Sequence, residues 1–184
     1  LSHIEATKWL SYGMKAKFTG AFMPSFDIVS EPDMHEVKNA TDQVVRELAQ
    51  RYDFRGTMAE LKSTDDGFEL VANSQDRVKA ILEVLQDKFV KRKLSLKFLE
   101  AKDVLPAGGS MFKQKVNIKK GIDKDNAKSL VQMIKEEKSL KVTPAIQGEA
   151  VRITGKKKDD LQEVIAMLKS KDFPLELSFG NFRD

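Results

Sequence analysis

An α+β protein made of two tandem βαββαβ units is what the sequence predicts, and three observations predict it. Apolar residues alternate with period two in short runs and recur at three- and four-residue spacing in longer ones. Acidic or hydroxyl residues stand at capping positions ahead of the long runs. The order strand, helix, strand, strand, helix, strand then occurs twice, on either side of Pro106-Ala-Gly-Gly109.

Ser25 to Ser30 reads as the first strand. Asp33 with Glu36 three residues on has the capping-box spacing that opens a helix, whose inward stripe is Val37, Val44, Val45, Leu48 and Tyr52. Thr57 to Ser63 and Phe68 to Ala72 flank Thr64-Asp-Asp-Gly67, an Asp-Gly hairpin signal. Ser74 caps a second helix with Val78, Ile81, Leu82, Leu85 and Phe89 inward, and Leu94, Leu96 and Phe98 alternate as a half-buried strand. Beyond the Pro-Gly punctuation, Lys113 to Ile118 reads as a strand and Asp123 opens a helix carrying Ala127, Leu130, Val131 and Ile134. Val142 to Gln147 turns at Gly148 into Val151 to Thr154. Asp159-Asp-Leu-Gln162 offers a further capping box before Leu161, Val164, Ile165 and Leu168, and Leu175, Leu177 and Phe179 mark the last strand.

Each unit is expected to be ferredoxin-like, a four-stranded antiparallel sheet with both helices on one face and the other face open to water or to a partner. The expected division is 23–105 and 106–184, with exchange of terminal strands between the units left open by the shortness of the first strand. Residues 1–22, which hold Trp9 and one of the two histidines, read as a leader or an artificial extension, with a mildly amphipathic docking helix as the alternative. The chain has 184 residues with 32 basic and 28 acidic side chains; setting aside Lys8, Lys15, Lys17 and Glu5 leaves 29 and 27, a net charge of only +2. Any polyanion site must therefore come from local clustering rather than from global charge.

The residue types exclude several chemistries. With no cysteine there is no disulfide, thiolate metal site or cysteine nucleophile, and a cytoplasmic location is compatible. The longest apolar runs fall short of a membrane span. His35 sits in the first turn of a capped helix as a solvated residue, and no G-x-S-x-G or H-E-x-x-H occurs. Asp65-Asp66 before Gly67 is turn chemistry rather than a metal pair. No enzyme, metal or cofactor is expected. Thr154-Gly-Lys156 lacks the upstream glycine and following hydroxyl of a phosphate loop.

Binding is better supplied. Lys156-Lys-Lys158, with Arg152 on the preceding strand, stands before a helix N-terminus and fits either an anion site or a solvated loop. Lys113 and Lys115 project to one sheet face as phosphate ligands or as guards of a strand edge. The third strands lack the paired aromatics on which RNA-recognition modules stack bases. Arg55, Lys113, Lys115, Arg152, Lys156, Asn181, Phe182 and Arg183 together have the parts of a nucleotide pocket: cations for phosphate, a ring for stacking, an amide for a base edge. Phe182 fits equally as a core plug.

Seven blocks carry a resemblance. Pro24-Ser-Phe-Asp-Ile-Val-Ser-Glu31, Glu36-Val-Lys-Asn-Ala40 with Asp42-Gln43, Arg51-Tyr-Asp-Phe-Arg-Gly-Thr57, Gly108-Gly109 with Lys120-Gly-Ile122, Ala145-Ile-Gln-Gly-Glu-Ala-Val-Arg152, Thr154-Gly-Lys156 and Asn181-Phe-Arg183 closely resemble the bacterial YajQ family, from Met23 to Asp184. The resemblance implies two ferredoxin-like domains and nucleotide binding, with cyclic di-GMP as ligand and nucleic acid as another class. The expected function is a non-enzymatic receptor for cyclic di-GMP or another nucleotide (GTP or ATP) acting through a partner such as a transcription regulator; the alternatives are a protein that binds tRNA or other RNA on its basic sheet faces, and a protein-interaction module. The resemblance supplies no motif that fixes the ligand residues. Lysine is the family habit after Phe54, and Arg55 here keeps the charge and adds a stacking plane.

Overall fold

The computed structural model describes residues 23–184; the segment 1–22, read from sequence as a leader or docking helix, lies outside the described residues. The chain runs β1 (Ser25–Val29), α1 (Met34–Gln50), a 3-10 turn (Tyr52–Phe54), β2 (Glu60–Thr64), β3 (Gly67–Ala72), α2 (Gln75–Lys91) and a second 3-10 turn (Leu96–Phe98). It continues through β4 (Leu99–Gly108), β5 (Met111–Ile118), α3 (Lys124–Glu136), β6 (Val142–Gln147), β7 (Ala150–Gly155), α4 (Lys158–Ser170) and β8 (Ser178–Arg183). The strands form two four-stranded antiparallel sheets, ordered β2-β3-β5-β4 and β6-β7-β1-β8, and with two helices each they make two ferredoxin-like α+β sandwiches.

Sheet membership does not follow the chain in tandem. β1 lies between β7 and β8 of the second sheet, and β5 lies between β3 and β4 of the first. The reason is local. Gly109 (φ 56°) and Ser110 (φ 62°) both take left-handed backbone, the requirement of a two-residue type I′ hairpin turn, so the punctuation read from sequence as a break between units pins β5 beside β4. With β5 in the central slot of the first sheet, the second sheet takes β1 instead. Phe26 and Ile28 are fully buried among Leu130, Ile153 and Val164 of the second core, and each contributes about 1.5–3 kcal/mol of apolar burial there.

The first unit is thus inserted between β1 and α3 of the second, and the chain crosses between them twice. The crossings are tied together where the Gly121 N–H donates to the Ser30 carbonyl at 2.7 Å. Lys97 adds a second tie, its Nζ donating to Asp172 Oδ1 at 2.7 Å and to the Phe173 carbonyl at 2.8 Å.

Asp33, Ser74 and Asp123 cap α1, α2 and α3 as their spacing predicts, each accepting from backbone N–H groups of the first turn. Six expectations fail. The strand expected from Thr57 starts only at Glu60, after the turn through Met58, and the last strand starts only at Ser178, leaving Leu175 and Leu177 in the connection that follows α4. Leu94 to Phe98 is no strand: Leu94 and Phe98 are buried four residues apart, which a turn accomplishes, and pairing begins at Leu99. Glu36 pairs with Arg92 rather than completing a reciprocal capping box. The box at Asp159 is absent because α4 begins earlier, with Lys157 at its N-cap making no side-chain cap bond and Asp159 and Asp160 in the first turn. Val45 and Tyr52 are exposed, at 49% and 83%: Val45 lies about 100° around the helix from Val44, and Tyr52 falls beyond the helix end.

Candidate functional site

Period-two alternation builds the open face of the second sheet. On β1, Phe26 and Ile28 point to the helices, which leaves Asp27 on the other side; on β7, Val151 and Ile153 point inward and leave Arg152 outward. The register sets Asp27 directly opposite Arg152. Arg152 donates from Nε to Asp27 Oδ1 at 2.7 Å and from a terminal nitrogen to Oδ2 at 2.9 Å, a bidentate pair. On the other flank a bulge in β8 puts Asn181 at φ 53°, and its amide donates to Asp27 Oδ2 at 2.5 Å. The Arg152 hydrogen bonds outweigh desolvation and, with Asn181, hold the Asp27 carboxyl below the usual carboxylate range.

Of the residues singled out in the sequence, Arg152, Asn181 and Arg183 therefore meet around Asp27, with Arg183 opposite Ser25 one step along the sheet. Lys156 follows Gly155 at the end of β7, exposed in the loop before α4, and Lys158 in that turn pairs with Asp184 at 2.6 Å. The guanidinium fork of Arg152 is taken by Asp27, so Arg152 is a strut. Among the described residues Arg183 and Lys156 have no carboxylate within 4 Å, nor does exposed Lys157 in the same loop, and Arg183 and Lys156 are cations that this end of the sheet can turn to an anion.

Phe182 lies on the other side. Its ring stacks on Phe26, with centroids 5.7 Å apart and planes at 28°, while 58% of the residue stays exposed. It extends the second core outward with one ring face covered.

Lys113 and Lys115 are brought to a different sheet, on the open face of β5. Their partners are distant, Glu69 at 3.8 Å and Asp66 at 3.9 Å. Gln114 between them turns inward and donates to the Lys102 carbonyl at 2.7 Å, holding the bulge in β4. Arg55 is placed elsewhere again, after the Tyr52–Phe54 turn, with its guanidinium 5.7 Å from the Tyr52 ring centroid.

A crevice of about 520 Å³ lies where the chain crosses between the units. Asp66, Glu100, Asp123 and Glu149 outnumber Lys119 and Lys120 along it, which suits it poorly to a phosphate. Among the described residues no three His, Asp or Glu side chains gather to hold a metal ion, and no helix is long and apolar enough to cross a membrane.

Asp27 is the residue that sequence reasoning passed over. Its signal was present, since Ser25-Phe-Asp-Ile-Val29 alternates and puts a carboxylate alone on the outward face, but its partner is 125 residues away.

Comparison with known proteins agrees with the residues. The model of the family described as "Nucleotide-binding protein YajQ-like" matches residues 24–183. A protein of Pseudomonas putida (strain GB-1), named a nucleotide-binding protein, is 52% identical over 163 residues, covering 88% of this chain and all of its own. Proteins of the same description from Magnetococcus marinus (strain MC-1) and Trichlorobacter lovleyi (strain SZ) are 49% and 45% identical, each over 162 residues with 88% of this chain and the whole of the relative covered. A match of that extent, over full-length relatives and through both sandwiches, leaves one conclusion: the chain belongs to the YajQ family.

Proposed function

We propose that this chain is a non-enzymatic nucleotide-binding protein, a cyclic di-GMP receptor that acts in the cytoplasm through a partner such as a transcription regulator, with its ligand seated at the Arg183 end of the second sheet. The observation that carries this reading is the pre-ordered Asp27–Arg152–Asn181 cluster beside two uncommitted cations, Arg183 and Lys156. Asp27 holds Arg152 and Asn181 in fixed rotamers, so little side-chain entropy is lost when a ligand arrives. Arg183 and Lys156 supply charge for phosphate, and the uncapped first turn of α4 offers N–H donors of the same sign. Asn181 keeps its carbonyl oxygen for a base edge. The names of the relatives support a nucleotide as the ligand class.

Calorimetry tests the reading. Saturable binding of cyclic di-GMP that falls about tenfold in Arg183→Ala is expected, roughly the loss of one charge-assisted hydrogen bond. Saturation by GTP or ATP alone would keep the site and change the ligand; undiminished binding in Arg183→Ala would remove the site.

The loosely paired Lys113 and Lys115 favour a second reading, RNA held by its backbone on the open face of the first sheet. It predicts that tRNA affinity falls steeply with salt, because each neutralised phosphate releases counterions. A flat salt response would remove it.

A further inference from the structure

Only two large aromatic rings are exposed among the described residues, and each has an arginine beside it in sequence or in space. Phe182 precedes Arg183 and rests on Phe26. Tyr52 is 83% exposed, and the Arg55 guanidinium lies 5.7 Å from its ring centroid. We propose that the Tyr52–Met58 turn of the first unit is a second recognition element, a platform on which an unpaired base of single-stranded RNA stacks while Arg55 engages the neighbouring phosphate.

The turn is built to hold those side chains outward. Phe54 is buried at 4% exposure, and Arg51 lies over its ring at 4.9 Å. Arg51 also donates to both Asp53 carboxylate oxygens, at 3.0 and 2.7 Å, and the Arg77 guanidinium of α2 donates to the Asp53 carbonyl. Buried Thr57 donates from Oγ1 to the Phe54 carbonyl at 2.6 Å, and the Asn73 N–H closes on the Thr57 carbonyl at 3.0 Å. With Phe54 locked inward, Tyr52 projects from the turn with Arg55 beside its ring and most of its surface in solvent.

The next residues continue the pattern. Met58 is held at φ 54°, a left-handed conformation a side chain adopts only when its surroundings impose it, and is 71% exposed. A Cβ added to Gly56 would meet nothing within 4 Å, so the backbone there is open to approach.

Charge and size name the occupant. Arg51 is committed to Asp53 and Glu47, and Arg77 to Asp53, whereas Arg55 has no carboxylate within 4 Å among the described residues. One ring, one guanidinium and one thioether match the plane and phosphate of a single nucleotide. They fall far below the roughly 800 Å² per partner of a stable protein interface. A lone nucleotide needs walls that cover most of its surface, and this platform has none; a strand gains from successive contacts, as in aromatic platforms for single strands. The sheets of both units lack outward aromatic pairs, so the stacking plane stands on a turn instead.

Fluorescence anisotropy of a labelled U8 oligoribonucleotide on the full chain tests this. Stacking of one base predicts a loss of about tenfold or more in Tyr52→Ala, with Tyr52→Phe restoring affinity to within about twofold. Arg55→Ala is expected to shallow the salt slope by about 0.7, one phosphate on a single strand. Tyr52 makes no core contact, so the melting temperature of these variants stays at the wild-type value. Arg183→Ala should leave U8 binding unchanged, which separates this platform from the second-sheet site, and free UMP should fail to compete, which separates a strand from a mononucleotide. Unchanged affinity in Tyr52→Ala, failure of Tyr52→Phe to restore it, competition by UMP, or absence of U8 binding would each overturn the proposal, the last in favour of a protein occupant.

Discussion

The open faces of the two sheets carry similar charges and organise them in opposite ways. On the second sheet Asp27 sits at the centre, with 13% of its side chain exposed, and three short hydrogen bonds converge on it from strands on both flanks. On the first, Lys113 and Lys115 are about half exposed and reach their carboxylates only at 3.8 and 3.9 Å. The difference follows from burial. A carboxylate leaving water must satisfy its oxygens, which fixes its neighbours; lysines that stay in water gain little from pairing and keep their freedom. One face is pre-ordered and polar, the other adaptable and cationic.

The sharpest way to break this comparison is to cut the chain, since both faces depend on the exchange of central strands. A fragment spanning 31–118 contains every strand of the first sheet and is expected to unfold cooperatively on its own. Fragments 23–105 and 106–184 each lack the central strand of a sheet and are expected to show no cooperative thermal transition by circular dichroism. A cooperative 106–184 fragment would show that β1 is dispensable.

Next in size is Gly67→Ala, confined to the first sheet. A Cβ there would stand 2.2 Å from the Val116 carbonyl oxygen of β5, against backbone that cannot step aside. A loss on the order of 3 kcal/mol in urea melts is expected, with the Asp27 network untouched.

Asp27→Asn probes the second face. Removing the charge beneath Arg152 is expected to cost about 2 kcal/mol at neutral pH. It also changes the pH profile. Because the folded-state value of Asp27 is lowered, its stabilisation is complete above its unfolded value of about 3.8 and fades as the pH falls through the folded value. Wild-type stability should therefore decline below about pH 4 by a component that Asp27→Asn lacks; parallel acid limbs would contradict the assignment.

Smallest of all, Lys113→Ala and Lys115→Ala are each expected to change stability by less than about 0.5 kcal/mol. A larger loss would mean that the first face is as ordered as the second.

Local rules reached much of this in advance. Asp33, Ser74 and Asp123 were legible as caps because a cap and its N–H donors lie within three residues. The stripes of α2, α3 and α4 were legible because burial repeats with the helix. Tyr52 was misplaced inward because periodicity alone does not show where a helix stops, and the Asp27–Arg152 pair was unreadable because no local pattern joins residues 125 positions apart.

By itself the sequence determined two βαββαβ complements of elements, the apolar sides of their helices and a supply of cations with few catalytic groups. Only the tertiary structure decided which strands share a sheet. A strand satisfies its backbone equally well beside any partner of the right direction, and the choice fell to a two-residue turn at Gly109-Ser110 together with the core that receives Phe26 and Ile28.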